Sequence, residues 1–139
     1  MREFWRLIQT VFTVIGAWVG SFIGGYDMLF YTLLVFSIID YLSGSLKAAT
    51  KKELSSDIGF KGICKKFLMF CIVGVAHLLD RLAFSDGAVL RTAAIFFYLS
   101  NEGLSLLENA AYLGVPIPAK LKAVLAQLHN KDKEDNDNE

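Results

Sequence analysis

Asp40, Asn101, Glu102, Ser105 and Glu108 are the side chains best placed to do chemistry, because each interrupts a stretch that is otherwise apolar. A carboxylate in such surroundings binds a proton, pairs with a cation or recruits water, since low dielectric penalises its lone ionised form. Asp40 is the only charge in Met28–Leu46 and stands seven residues before Lys47. Tyr98, Asn101, Ser105, Glu108 and Tyr112 recur at helical spacing, with Glu102 and Asn109 at their flank. On a membrane helix such a stripe either joins neighbouring helices, at roughly 0.6 kcal/mol per hydrogen bond, or lines an aqueous path. Two carboxylates tilt the reading toward water. Nothing points to an enzyme: no Ser/His/Asp set stands in a credible order and no zinc-type spacing occurs. His77 and Asp80, three apart on one helical face, would supply at most two metal ligands, so no metal or cofactor is expected. Cys64 and Cys71 would lie about 10 Å apart along one helix, too far to bridge.

These residues need helices around them that live in lipid. The 139 residues allow one domain, and a chain that is 54% hydrophobic and 13% aromatic, with mean hydropathy +0.43, exceeds the soluble average. Fourteen bases balance fourteen acids, so bulk charge draws the chain to no nucleic acid. The apolar residues come in blocks that predict an all-α integral membrane protein with four spans, at about 7–26, 28–46, 67–84 and 89–113. The first follows basic residues, as a signal peptide would, but is long and has no A-x-A-like cleavage site, so it is expected to stay. Within it Gly16, Gly20 and Gly24, with Ala17, Ser21 and Gly25 alongside, form small-residue rows at a spacing of four that suit close helix packing. Asp80, Arg81 and Arg91 are expected to satisfy one another near the far ends of the third and fourth spans. Beyond Pro116 and Pro118, residues 119–129 read as a short amphipathic helix. Residues 130–139 are too polar to fold and read as a disordered charged tail outside the 1–129 membrane domain.

Orientation follows from lysine. Lys47, Lys51, Lys52, Lys61, Lys65 and Lys66 crowd the connector between the second and third segments against only Glu53 and Asp57. Gly59 and Gly62 suggest that this connector is irregular or interfacial. Basic loops remain on the cytoplasmic side, and the same lysines suit anionic lipid headgroups. Placing both termini there as well leaves only Arg81 and Arg91 of the fourteen bases outside. The charges in segments three and four leave open a two-span chain with re-entrant or surface-lying helices.

Asp40-x-x-Ser43-Gly44, the basic connector, Ser56-x-x-Gly59-x-x-Gly62-x-x-Lys65-Lys66, then Glu108-Asn109 and Leu113-Gly114-Val115-Pro116-Ile117-Pro118 form an ordered set covering roughly Asp40 to Leu128. This set resembles the toxin-secretion/phage-lysis holin family, with Ser43 where the resemblance leads one to expect threonine. The resemblance implies a multi-pass protein of the bacterial cytoplasmic membrane that self-associates and opens lesions for a murein hydrolase or a toxin, without required direct contact. Two other classes fit the same residues. A fixed, narrow ion or solute channel would leak ions and retain folded proteins, and an antiholin-type regulator would insert and associate without leakage.

Overall fold

The structure is a computed structural model that describes residues 1–84, 87–124 and 126–127. Four long helices carry the fold: α1 (Arg2–Ile23), α2 (Met28–Thr50), α3 (Ser56–Phe84) and α4 (Val89–Tyr112). No strand occurs among the described residues.

Local chemistry sets the helix ends. α1 stops at Gly24, whose φ of 88° is left-handed and favours a residue without Cβ. The Asp27 carboxylate caps α2, accepting the Phe30 N–H at 2.9 Å. The first amides of α4 are capped from another helix: the Leu90 and Arg91 N–H groups donate to the two oxygens of Asp80, at 2.9 and 2.8 Å. Asp80 is fully buried, yet its charge meets the positive end of the α4 dipole. α4 ends at Tyr112, and Gly114 turns the chain at φ 83° before Pro116 and Pro118. Helical backbone resumes at 119–124. Leu125 and 128–139, which include the end of the expected amphipathic helix and the expected charged tail, lie outside the described residues, as do Ser85 and Asp86 of the expected outer turn.

Successive helices alternate in direction. Asp27 lies beside Arg91 and Asp40 beside Asn109, so α2 and α4 run parallel. Lys66 near the start of α3 meets Asp40 and Glu102, and Asp80 near its end meets the start of α4, so α3 runs the other way. α4 packs on both α2 and α3, and α1 packs only on α3. Leu33, Val73 and Ile95, none with measurable exposure, form the centre with Ile23, Phe30, Met69 and Leu99. The Phe22 ring of α1 occupies the space above Gly74 of α3, where a Cβ would collide with it. Outside this core the surface is apolar, including Phe12, Trp18, Leu42, Phe67 and Leu82, an exterior suited to lipid rather than water. α1, α2 and residues Ser56–Ala83 of α3 are long and apolar enough to cross a membrane.

Three expectations need correction. The lysine-rich connector is not a twenty-residue loop: α2 runs on through Lys47 and α3 starts at Ser56, so Lys61, Lys65 and Lys66 are helical and only 51–55 separate the two helices. Gly59 and Gly62 do not break α3, although glycine costs about 1 kcal/mol in a helix interior. They make room for Tyr41 of α2, whose hydroxyl and ring would lie 3.3–3.5 Å from a Cβ at either position. The glycine row of α1 is also interrupted. Gly24 lies beyond the helix, and Tyr26 folds back over Gly20, where an added Cβ would stand 2.6 Å from its ring, to donate its hydroxyl to the Gly16 carbonyl at 2.6 Å. Ala17 and Ser21 are exposed, and no helix covers Gly16.

Candidate functional site

α2, α3 and α4 converge on an ionised cluster toward the lysine-rich end. α2 supplies Asp40 and Ser43, α3 supplies Lys66, and α4 supplies Glu102 and Asn109. The Lys66 ammonium lies 2.9 Å from Asp40 Oδ2 and pairs also with Glu102 Oε2. The Asn109 amide donates to Asp40 Oδ1 at 3.2 Å and to Ser43 Oγ at 3.1 Å, and its carbonyl accepts from Lys47 Nζ at 3.5 Å. Side-chain exposures of 13–18% for Asp40, Lys66 and Glu102 place these charges where an unpaired one would be costly. Three helices are thereby stitched together by one cation between two anions.

A cavity of about 540 Å³ adjoins the cluster, lined by Asp40, Lys66, Tyr98, Asn101, Glu102 and Ser105 among others. The wall is largely apolar, but its charged and polar side chains together with this volume admit water. The structure therefore brings together Asp40, Asn101, Glu102 and Ser105 of the residues singled out in the sequence, and leaves Glu108 exposed and outside the cavity lining. Lys65 also lines the cavity, while Lys52 and Lys61 are exposed. Lys47 and Lys51 lie 5.3 and 5.0 Å from the centroid of the Tyr112 ring, a cation–π contact. Sequence reasoning missed Lys66 as the partner of Asp40 because it placed Lys66 in a loop. The available signal was its position: a lysine directly before a thirteen-residue charge-free run enters the bundle if the helix has already begun.

A second polar knot closes the opposite end. Arg91, 3% exposed, donates from Nε to the Ile23 carbonyl at 2.6 Å, from Nη1 to Asp27 Oδ2 at 2.7 Å, and from Nη2 to Asp27 Oδ1 at 3.1 Å and the Gly25 carbonyl at 3.2 Å. It thus caps the C-terminus of α1 and holds the α1–α2 turn onto α4. The expected mutual satisfaction of Asp80, Arg81 and Arg91 is replaced by this arrangement, in which Asp80 serves backbone amides and Arg81 is exposed.

The Arg91 hydrogen bonds hold the Asp27 carboxyl below the usual carboxylate range. A lowered native pKa gives stabilisation that is complete above the unfolded value and disappears as pH falls through the native one. The thermal midpoint of the wild type in detergent should exceed that of Asp27→Asn by a constant margin from pH 7 to about 5, and the margin should close below about pH 4. A margin independent of pH down to 3 would show that the charge of Asp27 contributes nothing.

Comparison with known proteins adds a family to this geometry. Residues 17–130 match the model of the bacteriophage holin family. The chain belongs to that family. Among its relatives, this holin-family chain is 47% identical over 130 residues to the uncharacterized 14.9 kDa protein in the nagH 3′ region of Clostridium perfringens, covering 91% of this chain and 92% of that one. An uncharacterized protein of Listeria monocytogenes is 41% identical over 120 residues, 86% of this chain and 85% of its own. A probable holin of Bacillus phage phi105 is 45% identical over 87 residues, 63% of this chain and 64% of its own. No solved structure matches.

Proposed function

We propose that this holin-family protein self-associates in the bacterial cytoplasmic membrane and opens lesions that release a cytoplasmic murein hydrolase or toxin, with no direct contact to that cargo required. The observation that carries the reading is the Asp40–Lys66–Glu102 ion-pair cluster, facing a cavity, inside a bundle whose exterior is apolar. In a single copy the three charges satisfy one another and the bundle can sit closed in lipid. Once neighbouring copies offer alternative helix contacts, parting α2, α3 and α4 admits water from the cavity, and hydration replaces the ion pairs. α4 is the fourth span in this reading: it runs parallel to α2 over the same depth, and its Arg91, Glu102 and Asn109 are neutralised or hydrogen-bonded inside the bundle. The lysine-rich end, with both termini, faces the cytoplasm, because basic residues favour that side.

Induced expression in a bacterium, with and without a cytoplasmic lysin, tests the reading. The wild type should lyse cells when lysin is present, and folded cytoplasmic protein should escape. Asp40→Asn leaves Lys66 and Glu102 as a balanced pair, so it should insert normally and delay or abolish lysis; Asp40→Leu should insert at least as well and be inactive. Leakage of ions with folded protein retained would replace the lesion by a fixed channel. Insertion without any leakage would make the chain an antiholin-type regulator.

A further inference from the structure

Asn101, Glu102 and Ser105 of the α4 stripe turn inward to their own bundle, whereas a polar face of α1 is left without cover. Arg6, Gln9, Thr10, Thr13 and Ala17 fall within one arc of α1 at 100° per residue, and all five are exposed. Phe22 and Val19, on another side of the helix, make its contact with the core. Arg6, Gln9, Thr10 and Thr13 line a shallow hollow along this face. The two threonine hydroxyls donate back to carbonyls of their own helix, to Arg6 at 2.9 Å and Gln9 at 2.8 Å. The Gln9 amide has no hydrogen-bond partner among the described residues. It stands two residues, ~3 Å at ~1.5 Å per residue, inside the expected 7–26 span, at the border of the hydrocarbon, where donors and acceptors become scarce.

From this we infer that the Arg6–Gln9–Thr13 face of α1 pairs with the same face of α1 in a second copy; the inference rests on the reading of α1 as a membrane span. A second copy is the partner that fits because copies inserted in one membrane share an orientation. A two-fold axis along the membrane normal then brings two parallel α1 helices together with like residues at like depth. Gln9 faces Gln9, and a primary amide is both donor and acceptor, so the pair satisfies itself. Glu3 and Arg6, 3.6 Å apart within the helix, make the first turn neutral and remove the repulsion that two facing arginines would bring. Thr13 and Ala17 are small enough for close approach below. Arg6, Gln9, Thr10 and Thr13 lie ahead of residues 17–130, the part of the chain that matches the family model, so the pairing is argued from this chain's own residues.

Single cysteines in a Cys64→Ala/Cys71→Ala background test the pairing in isolated membranes, with copper phenanthroline as oxidant. Gln9→Cys and Thr13→Cys should each give disulfide-linked dimers at least fivefold more than Val11→Cys and Trp18→Cys, which lie on the opposite side of α1. Adding Gln9→Leu to Thr13→Cys should lower its dimer yield severalfold. Equal yields at all four positions, higher yields at Val11 and Trp18, or no dimer at positions 9 and 13 would overturn the pairing. Lysis is scored separately in the same cells. Lysis without cross-linking at 9 and 13 rejects the interface and leaves the holin reading standing, whereas cross-linking there without lysis supports the interface and rejects the lesion.

Discussion

Replacing Lys66 by methionine should destabilise the bundle by about 3–5 kcal/mol, the cost of removing one partner from a buried ion pair. Methionine matches the length of the lysine stem, so packing is nearly kept while the cation between Asp40 Oδ2 and Glu102 Oε2 is lost. Two carboxylates on facing helices then share a poorly hydrated site and repel each other. At least one must take up a proton or draw water through the adjoining cavity. Adding Asp40→Asn and Glu102→Gln removes both charges and should recover most of the loss, since neutral side chains there can hydrogen-bond with Asn109 and one another. The measurement is the thermal midpoint, or the denaturant midpoint, of the purified protein in detergent for wild type, Lys66→Met and the triple variant. A triple variant as unstable as Lys66→Met would mean that lost packing, not unpaired charge, was responsible.

That prediction depends on contacts the sequence shows only in part. α1 and α2 were legible because each is a charge-poor run of membrane length with Asp27 between them, whereas Gly24 and Gly25, read as part of a packing row, belong to the turn. Asp40 and Glu102 were legible as costly charges needing partners. Their shared partner was not, because Lys66 lies in a stretch whose lysines and glycines read as loop. In α3 those glycines instead admit Tyr41 at close range, a tertiary reason that no local rule contains. The same limit explains Arg91. Sequence proximity suggested Asp80 or Arg81 as its neighbours, whereas its side chain reaches 64 residues back to Asp27, a pairing set by the parallel course of α2 and α4. The polar residues of α4 read as one stripe, but a stripe alone does not say whether it faces its own bundle or another copy.

The two ends of the bundle thus carry different electrostatic designs. At the lysine-rich end two anions share one cation beside a cavity, an arrangement that loss of that cation leaves with two facing negative charges. At the other end an arginine is satisfied by one carboxylate and two carbonyls, with the neighbouring carboxylate of Asp80 occupied by amides.

Arg91→Leu should therefore loosen α1 from the bundle and lower stability by about 2–3 kcal/mol. The figure sits at the low end for a broken buried pair because the Asp27 side chain is 47% exposed and regains water once its partner is gone. The Ile23 and Gly25 carbonyls lose their donor as well, and an unsatisfied carbonyl in a poorly hydrated place adds its own penalty. Arg91→Lys keeps the charge but cannot reproduce a planar fork that serves three acceptors at once, so it should recover no more than about half of the loss. A double-mutant cycle with Asp27→Asn separates the pair from the rest: the two substitutions should be less than additive by 1 kcal/mol or more, since each breaks the same contact. Unfolding midpoints in detergent give the free energies. Hydrogen exchange of the last α1 turn, residues 20–23, should quicken in Arg91→Leu ahead of exchange at Leu33, Val73 and Ile95. Additive substitutions, or exchange that quickens uniformly through all four helices, would remove Arg91 from its role as the clamp that holds α1.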